Sequence, residues 1–294
     1  MIRSIIKAYL PAYAVERVRR NRLYLSVMNQ KARLEGHGPR AFFRYALAAE
    51  SNRRRFEKIN LSLPAERISF APDVSFNTCA EAREVHEWFG YRDGESVEEM
   101  QSFIRHTRDK KCLLDIGALF GTFSLTFASH GGRVYAIEPS AEPFAILHKN
   151  IRLNPAFQIT AHQLAFSDEN GSMLMRPEWK HLVATQERTS DSLEVRRVTL
   201  DDFVNEQGIA PDALKIDVEG HELAVLRGGL AYIRSRKPLI FLEVDNWHAP
   251  QSTQEIVQLL HSLGYGFLHA LNRPIRSPER YLSWGIRRVV CTPE

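Results

Sequence analysis

The stretch Lys111–Pro139, KCLLDIGALFGTFSLTFASHGGRVYAIEP, decides the fold of this chain. It holds an apolar run that ends in an acid, a glycine-containing turn, a helical segment at Thr122–His130, and a second apolar run that ends in Glu138. Short apolar runs on either side of a helical segment predict parallel strands joined by a crossover helix. The stretch therefore predicts half of a nucleotide-binding α/β sheet.

The same alternation continues towards the C-terminus. Further strands are predicted at Gln158–Phe166, Ala213–Val218, Leu239–Val244, Tyr265–Leu271 and Ile286–Cys291, with helices at Ala141–Asn154, His221–Ile233 and Thr253–Leu263. Gly171–Arg176 and Val195–Leu200 are predicted to add a small hairpin. Continuous apolar strands that alternate with helices indicate a sheet covered on both faces. We predict an α/β fold with a doubly wound, Rossmann-like, seven-stranded and mostly parallel sheet that ends in an antiparallel hairpin.

The N-terminal part has a different composition. Residues 1–95 are predicted to form a basic, mainly helical extension, and residues 96–294 the sheet domain. Residues 1–60 carry a net charge of +10, which leaves −6 for the rest of the chain. Such a basic segment indicates an anionic partner, either a membrane surface or a phosphorylated substrate, although a solvated helical face explains the charge equally well.

The cysteine content and the N-terminal hydropathy bear on location. The three cysteines are widely spaced, which favours a reducing compartment over a disulfide framework or a zinc site. The first apolar run is interrupted by Lys7 and Pro11 and is too short to span a bilayer. We expect a cytoplasmic protein, with peripheral membrane association as the open alternative.

The turn Asp115–Gly121, DIGALFG, indicates the kind of cofactor. A dinucleotide site would need a glycine at Leu119, because a side chain there hinders the approach of a pyrophosphate. Asp115 would repel phosphate but suits the ammonium group of S-adenosylmethionine (SAM). Gly117, Ala118 and Gly121 would let the backbone run close to this cofactor.

Two further strand ends extend the predicted cofactor site. Glu138 follows the second strand, where an acid can accept hydrogen bonds from both ribose hydroxyls. Ala165 and Phe166 are expected to flank the adenine ring, and Ser167 to read its edge.

The catalytic end is predicted after the strand Ala213–Val218. Asp217, Glu219 and His221 follow one another closely there, and histidine suits a general base near neutral pH. We expect His221 to be the base, with Asp217 and Glu219 orienting it or holding the acceptor. An alternative gathers Asp217 with Glu243, Asp245 and Asn246 around Mg²⁺, an ion that prefers oxygen ligands.

The motifs of this region also resemble a known family. DIGAxxG, AIEPS, AFSDxxG, VTLDDF, LKIDVEGHE and FLEV, in this order over about residues 110–245, are similar to those of FkbM-family methyltransferases. The resemblance implies a class I SAM-dependent fold and O-methylation, often of sugar or polyketide hydroxyls. Leu119 departs from it, since the family usually has asparagine there.

The sequence thus favours a SAM-dependent O-methyltransferase that acts on a glycan, a glycolipid or a secondary metabolite. An RNA methyltransferase that uses the basic residues 1–60 to bind its substrate is the less favoured alternative. A non-enzymatic protein that docks on membranes and holds a nucleotide is the third alternative. The identity of the acceptor and the oligomeric state are not encoded in any motif.

Overall fold

The computed structural model describes residues 54–61, 63–64, 66–87, 89–90, 94–178, 181–245, 248–249, 252–268, 274–282 and 286–294. Most of the basic N-terminal segment, residues 1–53, lies outside the described residues, as does Asn246. The predicted interaction of this segment with an anionic partner therefore stays a prediction.

The described part of the chain alternates strands and helices. The strands are β1 (Arg67–Ala71), β2 (Val74–Asn77), β3 (Cys112–Ile116), β4 (Arg133–Ile137), β5 (Gln158–His162), β6 (Ala165–Phe166), β7 (Gly171–Glu178), β8 (His181–Ala184), β9 (Leu193–Val198), β10 (Ala213–Ile216), β11 (Leu239–Asp245), β12 (Tyr265–Leu268) and β13 (Ile286–Pro293). The helices are α1 (Ala80–Glu87), α2 (Gly94–Thr107), α3 (Thr122–Ala128), α4 (Ala141–Arg152), α5 (Leu200–Gln207), α6 (Glu222–Gly228), α7 (Leu230–Arg236), α8 (Ser252–Ser262) and α9 (Pro278–Leu282). A further helical segment occupies residues 54–60.

Seven strands form the main sheet in the order β12–β13–β11–β10–β3–β4–β5. The five strands from β11 to β5 are parallel, whereas β13 runs antiparallel to both β11 and β12. The strand order reverses between β3 and β10, the place where doubly wound sheets bind ligands. The predicted fold class is confirmed.

Both faces of this sheet are covered by apolar side chains. Leu114 and Ile116 of β3 belong to one buried cluster, and Leu113 of the same strand belongs to the cluster on the opposite face. Successive side chains of a strand point to opposite faces, so a strand buried on both sides reads as a continuous apolar run. This explains why the central strands could be recognised from hydropathy alone.

The strands that lie between β5 and β10 in the sequence form a second, four-stranded sheet. Its order is β6–β9–β7–β8, with β7 antiparallel to both β8 and β9. The predicted hairpin corresponds to the β7–β9 pair. The predicted strand Gln158–Phe166 is wrong as a single element, because its first part joins the main sheet and Ala165–Phe166 pairs with β9.

The predicted helix His221–Ile233 is also two elements. Helix α6 ends at Gly228 and α7 begins at Leu230, and an added Cβ at Gly228 would lie 2.0 Å from the carbonyl oxygen of Ser167. The end of α6 therefore packs directly against the loop that follows β6.

Residues 54–87 pack against α3 and α4. Phe56, Ile68 and Phe76 form a buried cluster with Leu125 of α3. The backbone amide of Cys79 donates to Asn150 Oδ1 in α4 at 2.8 Å. The predicted boundary between residues 95 and 96 stays a prediction, but this segment contributes to the core of the sheet domain. Within the described ranges, no helix combines the length and apolar character needed to cross a bilayer.

Candidate functional site

A cavity of about 190 Å³ opens at the carboxyl ends of the central strands. Seven of the residues predicted for the cofactor and catalytic sites line it: Gly117, Glu138, Ala165, Phe166, Asp217, Glu219 and His221. Four others are not part of its wall: Asp115, Ala118, Gly121 and Ser167. The tertiary structure therefore brings the predicted cofactor end and the predicted catalytic end to one space.

The loops after β3 and β10 touch at Gly117. This residue has φ 82°, and a Cβ at this position would lie 1.8 Å from the carbonyl oxygen of Asp217. Gly117 and Ala118 donate their backbone N–H groups to the carbonyl oxygen of Ile137 at 3.0 and 2.9 Å. Only glycine combines this backbone conformation with such a close approach, so the turn is fixed between the ends of β4 and β10.

Glu138 points its carboxylate into the turn after β3. Its two oxygens accept hydrogen bonds from the backbone N–H groups of Leu119 at 2.9 Å and Ser140 at 2.8 Å. Burial raises the pKa of Glu138 to about 7, and the two N–H donors oppose this shift. The side chain lines the cavity although the residue is only 4% exposed. An acid held in this way can accept further hydrogen bonds from a ligand's hydroxyls.

Asp115 lies behind the cavity wall. It is buried, and Ser124 of α3 donates its hydroxyl to Asp115 Oδ2 at 2.5 Å. Burial raises the pKa of Asp115 to about 6, against the lowering effects of Ser124 and Lys215. The contacts of its side chain hold the start of α3 against β3. Its predicted contact with a cofactor ammonium, directly or through water, stays a prediction.

The residues at and after β6 differ in their access to the cavity, since some line it and others lie buried behind its wall. Ala165 and Phe166 line the cavity, and their contact with the adenine ring stays a prediction. Ser167 is fully buried, and its Oγ lies 3.1 Å from Asp168 Oδ1 and 3.0 Å from His221 Nε2. Ser167 thus connects the predicted adenine loop to the predicted base.

Asp217 is held by a buried lysine. Lys215 Nζ lies 3.0 Å from Asp217 Oδ2, 3.9 Å from Glu99 Oε1 and 4.7 Å from the centre of the Phe123 ring. Burial lowers the pKa of Lys215, but the charges of Asp217 and Glu99 outweigh it and raise the pKa above its ordinary value. The ammonium therefore stays charged and orients the Asp217 carboxylate.

Glu219 stands in a loop of unusual backbone conformation. Its φ is 51° and that of Gly220 is 95°. A non-glycine residue with positive φ is uncommon outside sites where the surroundings impose it. Burial, followed by the charges of Asp217 and Asp245, raises the pKa of Glu219 to about 8. Acids are thus crowded together on this side of the cavity.

His221 occupies the N-cap position of α6 and lines the cavity. Burial is the largest effect on its pKa and lowers it below the usual 6.5, while the nearby Asp168 charge acts in the opposite direction. The imidazole is therefore neutral at pH 7 and has a basic nitrogen. These properties suit the predicted general base.

The predicted Mg²⁺ ligands do not gather as expected. Glu243 Oε2 lies 2.5 Å from Arg288 Nε, which also contacts Glu99 Oε2 at 2.7 Å. Asp245 instead contacts His248 Nδ1. The structure groups Asp245 with Glu219 and His248, whose ligand atoms all lie within 4.8 Å of one another. The grouping of Glu243 with Asp217 and Asp245 around a metal is therefore corrected, since Glu243 is paired with a cation from β13.

Several residues of the cavity wall were missed by the sequence analysis. Met173 and Met175 of β7 and Leu182 of β8 line it from the second sheet, and Val85 and Phe89 line it from the N-terminal segment. The spacing of Met173 and Met175 places both on one face of a strand, which was the available signal. Nothing in the sequence indicated that this face would turn towards the cofactor end.

This chain is similar in sequence to a family of known proteins and to a characterised relative. A family model described as the methyltransferase FkbM domain matches residues 115–267. The hexuronic acid methyltransferase AglP of Haloferax volcanii is 26% identical over 163 residues, which are 53% of this chain and 64% of that protein. The chain thus spans less than two thirds of this relative.

Solved structures are also similar to this chain. The methyltransferase FkbM of Methylobacillus flagellatus KT is 21% identical with a TM-score of 0.43, over 63% of this chain and 44% of that one. An O-methyltransferase of Bacillus cereus in complex with SAH is 13% identical with a TM-score of 0.45, over 84% of this chain and 100% of that one.

Proposed function

The chain belongs to the methyltransferase FkbM family, and from this premise we propose that it transfers the methyl group of SAM to a hydroxyl of a glycan, a glycolipid or a secondary metabolite. The observation that carries the proposal is the shared cavity. Glu138, which ends β4, and the Asp217–His221 loop, which follows β10, line the same space at the strand ends. Glu138 can accept hydrogen bonds from a ribose, and the Asp217–His221 loop carries groups that can remove a proton from an acceptor hydroxyl.

The charges of the cavity wall support SAM rather than a dinucleotide. Glu138, Asp217, Glu219 and Glu243 line it, against Arg288 as its described basic residue. Burial favours the protonated forms of Glu138 and Glu219. The cationic sulfonium and ammonium groups of SAM would favour their ionised forms, whereas the negative charge of a pyrophosphate would oppose ionisation. Glu138 would hold the ribose hydroxyls, and Ala165 and Phe166 would flank the adenine. SAM supplies an electrophilic methyl group, so positioning of the acceptor provides much of the rate.

His221 would take the proton of the acceptor hydroxyl. If Ser167 donates its hydroxyl to Asp168, His221 Nε2 must carry a hydrogen and donate it to Ser167 Oγ, because the two atoms are 3.0 Å apart. Nδ1 is then the nitrogen with a lone pair and accepts the proton. Ser167 would act as a positioning residue, since it selects the tautomer of the base.

Asp217 and Glu219 would hold the acceptor through its other hydroxyls. Carboxylate oxygens accept hydrogen bonds from vicinal hydroxyls, which is the pattern that a sugar presents. The similarity to a hexuronic acid methyltransferase supports a sugar acceptor. The apolar side chains Met173, Met175 and Leu182 supply a wall against which a ring can pack.

The cofactor assignment is tested by isothermal titration calorimetry. We expect SAM to bind the full chain, and Glu138→Ala to weaken binding strongly. The exposed Glu142→Ala in the first turn of α4 is the matched control and should bind as the wild type does. Equal affinity in the Glu138 and Glu142 variants, or tighter binding of NAD than of SAM, would overturn the assignment.

The reaction is tested with isotopically labelled SAM and a panel of acceptors. The panel contains free and lipid-linked uronic acids, neutral hexoses and a structured RNA, and the methylated position is identified by mass spectrometry. Transfer to a sugar hydroxyl is the expected result. Transfer to RNA alone would favour the second candidate, and binding of SAM without transfer to any member would contradict the proposed acceptor class.

A further inference from the structure

Glu219, Asp245 and His248 bring three potential metal ligands together at the edge of the cavity. One ligand atom from each lies within 4.8 Å of the other two. Three ligands at bonds of about 2.1 Å in tetrahedral geometry are separated by roughly 3.4 Å. Small movements of the side chains would therefore bring the three ligand atoms to the distances that a bound ion requires.

A fourth residue orients the histidine from behind. His248 Nε2 lies 3.4 Å from Glu178 Oε1 at the end of β7, and Nδ1 faces Asp245. Metal-binding histidines nearly always donate their second ring N–H to a carboxylate or a carbonyl group. Glu178 is not one of the three clustered residues, so it can hold the Nε2 hydrogen while a metal ion takes the place of the proton that Nδ1 shares with Asp245.

The backbone is arranged to bring these groups together. At Gly220, an added Cβ would lie 2.7 Å from the Cβ of His248, and its φ of 95° is accessible mainly to glycine. The strained Glu219–Gly220 loop is thus packed directly against the His248 segment. Glu222, which is 1% exposed, has a buried Oε2 for which the structure gives no hydrogen-bond partner, while its Oε1 accepts from Gly220 N. An acid left in this state beside other acids indicates a site that is completed by a cation.

We infer that Glu219, Asp245 and His248 bind one divalent transition-metal ion. The donor set decides the class of ion, because an imidazole favours Zn²⁺, Mn²⁺ or Fe²⁺ over Mg²⁺, which prefers oxygen ligands and retains its water. Three protein ligands leave a coordination position for a water molecule or a substrate oxygen. Glu219 lines the cavity, so this open position faces the space in which the acceptor would lie.

The consequence for catalysis rests on the proposed function. A cation beside Glu219 would hold an acceptor hydroxyl and lower its pKa, so that His221 removes the proton more easily. Binding of the ion itself does not depend on methyl transfer. The two statements can therefore be tested separately.

The test uses the full chain, stripped of metal with a chelator and dialysed. Zn²⁺, Mn²⁺ and Mg²⁺ are titrated in parallel by calorimetry, and the thermal midpoint is recorded with and without each ion. We expect one Zn²⁺ or Mn²⁺ per chain and at least tenfold weaker binding of Mg²⁺. His248→Ala and Glu219→Gln should each weaken Zn²⁺ binding more than about tenfold, and Glu178→Gln by about tenfold or more.

His261→Ala, on the exposed side of α8, is the matched control and should retain wild-type affinity for Zn²⁺. Retained SAM binding shows that each variant is folded. The inference is overturned if the wild type binds no transition metal, or if His248→Ala binds Zn²⁺ as the wild type does. Metal binding without methyl transfer would contradict only the proposed function, and methyl transfer that a chelator leaves unchanged would contradict only the catalytic role given to the ion.

Discussion

Replacement of Glu138 by glutamine should reduce the pH dependence of the free energy of unfolding and weaken the affinity for SAM. Burial raises the pKa of Glu138 from 4.5 to about 7. The folded state therefore holds this proton more tightly than the unfolded state. Its contribution to stability is fully present below about pH 4.5 and is lost as the pH rises towards 7.

The size of this effect follows from the pKa difference. A shift of one unit corresponds to about 1.4 kcal/mol, so the full loss is about 3 kcal/mol, of which roughly 2.5 kcal/mol falls between pH 5 and pH 8. Glu138→Gln removes this titration. It also loses one of the two hydrogen bonds accepted from the Leu119 and Ser140 amides, at a cost of about 1–3 kcal/mol that is independent of pH.

The assay is urea unfolding of the wild type and of Glu138→Gln at pH 5 and pH 8. The drop in the free energy of unfolding between the two pH values should be about 2.5 kcal/mol smaller in the variant, whereas Glu142→Gln should behave as the wild type does. The affinity for SAM at pH 8 should fall about 10–100-fold, because the charge-assisted hydrogen bonds to the ribose are lost. Equal pH-dependent drops in wild type and variant would refute the assignment of a buried, proton-binding Glu138.

Three other substitutions test the remaining geometry. Gly117→Ala would place a methyl group against the Asp217 carbonyl and should abolish SAM binding and lower the melting temperature by several degrees; calorimetry showing wild-type affinity would contradict the close approach of the two loops. Lys215→Met should lower the free energy of unfolding by about 3–5 kcal/mol in urea titrations, because it leaves buried carboxylates without their cation, and a change below 1 kcal/mol would argue against the ion pair. His221→Gln should lower kcat at least 100-fold with little change in SAM affinity. In the wild type, kcat should fall only at a pH lower than an ordinary histidine would give, since burial lowers the pKa of His221, and a rate that already falls at pH 7.5 would exclude it as the base.

The elements that sequence reasoning located well are those whose burial is uniform. Strands β3 and β11 are short, largely apolar runs buried on both faces, so their positions can be predicted from hydropathy. The division of Gln158–Phe166 between two sheets could not be predicted in the same way. The first part pairs with β4 and the second with β9, and these pairings are set by the tertiary structure rather than by the residues of the segment itself.

The candidate site shows the same division. The glycine turn and the acid that ends β4 are local signals, and both line the cavity, at Gly117 and Glu138. The Glu243–Arg288 pair joins positions that are far apart in the chain and was not predicted, because an isolated acid at a strand end gives no indication of its partner. Ser167 was assigned to the adenine edge, yet its hydroxyl contacts His221, which comes from a different crossover.

The amino-acid sequence by itself determined the order of strands and helices, the type of sheet and the family, because periodic burial and short glycine-acid motifs are properties of neighbouring residues. Only the tertiary structure decided which acids meet which cations, since such pairs form between strand ends that the chain visits far apart. The association of Glu219 with Asp245 and His248 belongs to this second group. It exists because parallel strands bring all their carboxyl ends to one edge of the sheet.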